Sequence, residues 1–135
     1  MTALSTDRNT PQRKGENRNF PVKAATTVYA GGMVAIDATG MLVPAASVAA
    51  LKIVGRNERQ IINTGADGAV RADVKPGIFR FGNSTSTDAI AVTDIGSDCY
   101  AVDDQTVAKT SNSSARPVAG KIYDVDAQGV WVKIS

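Results

Sequence analysis

Lys121-Ile122-Tyr123-Asp124-Val125-Asp126-Ala127-Gln128-Gly129-Val130-Trp131-Val132-Lys133-Ile134 sets two apolar runs on either side of Asp-Ala-Gln-Gly. An Asp can bond the backbone that follows it, and a Gly can adopt positive φ, so the segment predicts a β-hairpin. Side chains alternate across a strand. Val130, Val132 and Ile134 therefore share one side, with Trp131 and Lys133 on the other. In the preceding strand Tyr123 and Val125 oppose Ile122 and Asp124. A strand apolar on both sides is covered either by a loop or by another subunit. Trp131 and Tyr123 are thus the candidate oligomer interface.

The same form recurs upstream. Met33-Val34-Ala35-Ile36 and Met41-Leu42-Val43 flank Asp37-Ala38-Thr39-Gly40, a second Asp-Ala-x-Gly turn. Tyr100-Ala101-Val102 and Thr106-Val107-Ala108-Lys109 flank Asp103-Asp104-Gln105, a third hairpin without the glycine. Composition agrees with strands. The 135 residues include 15 Val, 9 Ile and 12 Thr but only 3 Leu. The β-branched residues favour strands and leucine favours helices, so a helical bundle is excluded.

Between the hairpins, Leu51-Lys52-Ile53-Val54-Gly55-Arg56 predicts a strand and Asn63-Thr64-Gly65-Ala66-Asp67-Gly68 a turn-rich loop. Val70, Ala72 and Val74 alternate with Arg71, Asp73 and Lys75, the pattern of a half-buried strand. After Pro76-Gly77 the phase flips to Phe79 and Phe81, which predicts a bulge or sharp bend there. Thr93-Asp94-Ile95-Gly96 predicts one helical turn capped by Thr93, and Ala45 to Leu51 another short turn of helix. The expectation is an all-β domain of short hairpins, a small barrel or sandwich.

Residues 1–19 differ from the rest. They hold almost nothing apolar to bury, so they predict an extended N-terminal arm, with the β-domain occupying 20–135. Through Lys23 the chain carries five Lys/Arg and two acids, and the remainder is slightly acidic. The positive excess of the protein lies on the arm. Either it is a solvated terminus, or it orders on a partner.

The chemistry is sparse. The absence of histidine excludes a Ser-His-Asp triad and histidine metal ligands. The single cysteine, Cys99, sits in a strand-like run and reads as buried filler. Asp124-x-Asp126-x-x-Gly129 resembles the start of a calcium loop but lacks the distal Glu, and it coincides with the hairpin turn. Asp103 and Asp104 stand at a strand junction with no cleft partner, so a small hydrolase built on these four acids is disfavoured. There is no phosphate loop or dinucleotide fingerprint. The expectation is a non-enzyme without cofactor or metal, binding neither nucleic acid nor membrane. The N-terminal MTALSTDRNT has no hydrophobic signal core, which predicts a soluble intracellular product.

Five segments carry a resemblance. They are Thr6-Asp7-Arg8-Asn9-Thr10-Pro11-x-Arg13, Tyr29-Ala30-Gly31-Gly32-Met33-Val34-Ala35, Gly77-Ile78-Phe79-Arg80-Phe81, Val102 through Lys109, and Ala119 through Ile134. Together they resemble the capsid decoration, or cement, proteins of tailed bacteriophages. The resemblance spans nearly the whole chain and contains no catalytic signature. It implies a β-tulip or small β-barrel on the outer surface of the mature head, made in the host cytoplasm. It also implies a homo-oligomer, most often a trimer with a dimer as the other state, that stabilises contacts between capsomers of the major capsid protein. The arm residues Asp7, Arg8, Asn9, Thr10, Pro11, Arg13, Lys14 and Arg18 would then contact the capsid. The alternative is another phage structural or binding module, such as a tail or baseplate component or a carbohydrate-binding barrel.

Overall fold

Both Asp-Ala-x-Gly segments close hairpins, and the aspartate does the closing in each. The computed structural model describes residues 2–9 and 17–135. Strand β1 spans Arg18–Pro21, β2 Thr26–Val28, β3 Met33–Ile36 and β4 Leu42–Pro44. Between β3 and β4, Asp37 Oδ1 accepts the Thr39 N–H at 2.9 Å and the Met41 N–H at 3.1 Å. Gly40 completes that turn at φ +86, a left-handed conformation that costs other residues energy.

Six further strands follow before the last hairpin. They are β5 (Lys52–Asn57), β6 (Ile61–Asn63), β7 (Arg71–Lys75), β8 (Gly77–Phe81), β9 (Asp98–Ala101) and β10 (Val107–Ala108). The chain ends with β11 (Val118–Asp126) and β12 (Gly129–Ile134). Here Asp126 Oδ1 accepts the N–H groups of Gln128 at 2.8 Å and Gly129 at 3.0 Å. The third hairpin, β9–β10, also forms without glycine, because Asp103 Oδ1 accepts the Gln105 N–H at 2.9 Å.

The strands assemble into three antiparallel sheets. One has the order β1-β7-β5-β3-β4, a second β10-β9-β11-β12-β8, and a two-stranded ribbon pairs β2 with β6. The protein is all-β, and none of the sheets closes into a barrel, although isolated bridges join Val22 to Leu42 of β4 and Gly82, just past β8, to Thr106. Pro76 is the reason the phase flips. It stands alone between β7 in the first sheet and β8 in the second, so the bend there carries the chain from sheet to sheet.

The first sheet is buried on both faces. Met33 and Ile53 pack with Phe81, Ile122, Val130, Val132 and Ile134 of the second sheet. Val34, Leu42, Val54, Ala72 and Val74 turn the other way and pack with Val22 and with Val28 of the ribbon. A strand buried on both sides is apolar without alternation, and Met33-Val34-Ala35 is buried throughout. Most of the buried apolar side chains thus lie in two cores on opposite sides of one sheet.

Three local expectations are corrected. Tyr123 and Val125 do not share a face: the register passes from Ile122–Val132 to Asp124–Trp131, so Tyr123 is the extra residue of a β-bulge. Ile122 and Val125 both reach the core, and Tyr123 is 58% exposed. The helical turn near residue 93 is a 3-10 turn over Val92–Asp94, whose first N–H, that of Ala91, is accepted by Asp94 Oδ2 at 2.8 Å. Thr93 lies inside that turn, so it does not cap it. Ala45 to Leu51 forms no helix, because the Ala45 N–H is still bonded to Met33 O at 2.9 Å and the remainder closes through the tight Leu51 N–H to Val48 O bond. Among the described residues, no helix is long and apolar enough to cross a membrane.

Candidate interaction surfaces

The N-terminal segment meets the body at β1. Residues 2–9 contain no strand, and every one of them is exposed, including Leu4, Asp7, Arg8 and Asn9. Thr10, Pro11, Arg13 and Lys14 lie outside the described residues. Arg18 does not belong to an arm. It opens β1 opposite Val74, with its guanidinium carbon 4.8 Å from the centre of the Phe20 ring. Asn19, also expected in the arm, pairs with Asp73. Its side chain donates to Asp73 Oδ1 at 2.9 Å and accepts from Arg71 Nε. The border between segment and sheet therefore falls at Asn17, two residues earlier than the composition shift implied. Charged residues blurred that border, because an edge strand tolerates Arg and Asn that a central strand does not.

Trp131 and Tyr123 lie on the outer side of the second sheet in different settings. Trp131 is half-buried. Its indole Nε1–H donates to Asp126 Oδ2 at 2.9 Å, and the Arg80 guanidinium lies 5.6 Å from its ring centre. The hydrogen bond from Trp131, with those from Gln128 and Gly129, holds the Asp126 carboxyl below the usual carboxylate range. Tyr123 projects from the bulge beside it. The two aromatics are brought to one side of the sheet by the bulge, which no local pattern in the sequence announces.

The four acids do not converge. Asp126 is committed to its turn and to Trp131, and Asp124 Oδ1 accepts from the Val125 N–H at 2.8 Å. Asp103 caps its own turn, while the Asp104 carbonyl accepts the Met33 N–H at 2.8 Å. Among the described residues, no three metal-binding side chains form a cluster. Cys99 is wholly buried, and burial pushes its thiol up to about 12.

Two asparagines, absent from the sequence-level candidates, hold the loops. Asn63 Nδ2 donates to the carbonyls of Val22 at 3.0 Å, Lys23 at 3.2 Å and Ala66 at 2.9 Å, and its Oδ1 accepts the Gly65 N–H. Asn57, also buried, donates to Tyr29 O at 3.1 Å and Arg59 O at 2.7 Å, while its backbone exchanges bonds with Gly31 and Gly32 at 2.8 Å. That fixes the Tyr29–Gly32 loop against the first sheet. A buried amide can satisfy several backbone groups at once, but its sequence signature is only an Asn at a strand end.

The surface depressions are open and shallow. One, about 620 Å³, is lined by Lys52, Tyr100, Ser111, Ser114 and Arg116 among others. Arg116 is already engaged there, by Asp88 Oδ2 at 3.3 Å and Thr110 O at 3.1 Å. Another, about 400 Å³, lies between the Tyr29–Gly32 loop and β8, with Arg56, Phe79, Arg80 and Trp131 in its walls. No protein-family model matches the chain, and no curated protein or solved structure shows significant similarity to it.

Proposed function

We propose that the protein is a head decoration protein of a tailed bacteriophage, attaching to the outer surface of the mature capsid and bridging neighbouring capsomers. The observation that carries this reading is the pairing of an N-terminal segment that is basic in sequence, and exposed over residues 2–9, with an all-β body that begins at β1. A segment with few apolar residues gains its order from a partner, and a basic one suits an acidic capsid groove. The body acts as the platform that holds several such segments together. In an oligomer, linked segments raise one another's effective concentration, so weak single contacts sum to firm attachment. The exposed Tyr123 is the side chain we assign to the contact between copies, since Trp131 is already covered by Arg80 and tied to Asp126.

The reading is tested by mixing the purified protein with expanded, mature heads and with unexpanded precursors, then sedimenting the particles. The expected result is saturable binding to mature heads. Deleting residues 1–16, which spares β1, is expected to abolish attachment while leaving the circular dichroism spectrum and melting temperature of the body intact. Absence of binding to mature heads, or undiminished binding by the truncated protein, overturns the corresponding half of the proposal. Light scattering before and after Tyr123→Ser reports on the contact between copies.

A further inference from the structure

The second sheet ends at β8, and the free side of that strand is open from Gly77 to Phe81. β8 pairs with β12 along its whole length, from Gly77–Ile134 to Phe81–Val130. Its other side has no strand partner among the described residues. Only beyond the strand does the chain find one, where Gly82 exchanges bonds with Gln105 O at 2.7 Å and Val107 N at 2.9 Å. An exposed strand edge is a template for another extended segment, and natural proteins ordinarily blunt it.

The groove of about 400 Å³ runs along this edge. Ile78, Phe79, Arg80 and Phe81 all line it, although successive residues of a strand point to opposite faces, and Trp131 of β12 joins them where the groove reaches the outer face beside Arg80. Only the edge of the strand is common to all four. Gly31 and Arg56 form the opposing wall, held in place by Asn57. The charged residues of the lining are Arg56 and Arg80, and each is braced on a ring. Arg56 lies 4.4 Å from the centre of Phe79, and Arg80 lies 5.6 Å from that of Trp131. Each arginine has a carboxylate of the protein close by: Arg56 donates one N–H to Glu58 at 3.0 Å, and Asp126, which holds Trp131, feels the charge of Arg80. A ligand carboxylate would take the guanidinium N–H groups that remain. A stacked guanidinium keeps free N–H groups in a fixed fork that matches a carboxylate.

We propose that the edge of β8 takes up an extended acidic segment of a partner protein as a sixth strand of the second sheet. Main-chain hydrogen bonds supply attachment and the two arginines supply selectivity. Phe79 packs into the core and Trp131 lies on the outer side, so the two guanidiniums serve opposite faces of the added strand. The segment therefore carries its carboxylates at odd spacing, on adjacent residues or three apart. The protein's own N-terminal segment, with Arg8, Arg13 and Lys14, has the wrong charge to fill the groove from a second copy. A polynucleotide would meet the arginines but leave the amide edge unused. The proposal does not rest on the capsid reading.

The probe is a fluorescein-labelled eight-residue peptide of Thr and Val with two adjacent Glu, titrated against the full chain by anisotropy. Saturable binding that weakens with salt is expected. Moving the two Glu to alternate positions, or N-methylating alternate amides of the peptide, is expected to weaken binding about tenfold, the loss of one or two good polar contacts. Arg80→Gln and Arg56→Gln are expected to do the same. In the bound state the amides of β8 slow in hydrogen exchange. Failure of the peptide to bind overturns the proposal. So does equal binding by the N-methylated peptide or by oligothymidylate of the same charge, since either result needs only charge and no strand edge.

Discussion

The indole N–H of Trp131 donates to Asp126 Oδ2 at 2.9 Å, while the other oxygen of that carboxylate closes the β11–β12 turn. One side chain thereby couples the tip of the hairpin to the ring beneath Arg80. The Asp126 carboxyl is held below its usual range, first by this indole bond. A carboxylate lowered in the folded state stabilises it above the ordinary carboxylate range and ceases to do so as pH falls through the lowered value. The melting temperature is expected to drop on acidification, with Trp131 fluorescence changing as the bond is lost. In Asp126→Asn the drop is shallower and the starting stability lower. Parallel wild-type and variant curves down to strong acid would count against this coupling.

Two glycines separate two kinds of constraint. At Gly120 a Cβ would fall inside contact distance of the Lys133 carbonyl of β12, which is backbone and has no room to retreat. At Gly40 a Cβ meets nothing within 4 Å, and only the positive φ opposes substitution. Gly40→Ala is expected to cost about 1 kcal/mol, the left-handed penalty alone. Gly120→Ala is expected to cost at least about 3 kcal/mol or to prevent folding, since it forces the β11–β12 ladder apart. Urea denaturation of the pair checks the order, which similar midpoints would contradict.

Asn63→Ala removes one side chain that bonds four backbone groups; the Val22 and Ala66 carbonyls keep the N–H of Gly68 and of Ala69, while the Lys23 carbonyl and the Gly65 N–H lose the Asn63 bond. Buried polar groups left without partners cost about 1–3 kcal/mol each, partly recovered where water enters. A loss of about 3 kcal/mol is expected, measured by denaturation. The loosening is expected first in the ribbon and the 63–68 loop, seen as faster hydrogen exchange at Thr26–Val28 than in β12.

Cys99 is expected to resist alkylation at pH 8 in the folded protein and to react only as the protein unfolds, because burial keeps the thiol protonated until about 12. A thiol raised in the folded state favours that state below the ordinary thiol range. The contribution fades as pH climbs through the raised value. Rapid labelling of native protein would show that β9 and β11 part far more readily than their pairing implies.

What the sequence made legible was local. Asp37, Asp103 and Asp126 each bond backbone within a few residues of themselves, so the three hairpins could be read from turn chemistry alone. Pro76 signalled a bend because it interrupts an alternation visible on both sides. The pairing of β1 with β7 and of β3 with β5 joins segments far apart in the chain, and no spacing rule specifies such partners. The β2–β6 ribbon went unseen because Thr26-Thr27-Val28 and Ile61-Ile62-Asn63 are too short to carry a period. Of the interaction surfaces, Trp131 and Tyr123 stood out as aromatics at outward positions. The groove did not, because Arg56 reaches Phe79 only after two sheets have packed.

Among the described residues, β1–β7 is the ladder that stands between the N-terminal segment and the body. A pull on that segment arrives first at Arg18–Val74, then at the Asn19 bonds to Arg71 and Asp73, and last at Pro21–Arg71. β1 is the outermost strand of its sheet, so these four pairs can rupture without breaking the β5–β7 ladder or the second sheet. The rupture spares most of both cores, with Phe20 the main apolar group withdrawn. Tension is thus relieved at a short, re-formable seam, and the body behind this mechanical fuse stays folded to be caught again.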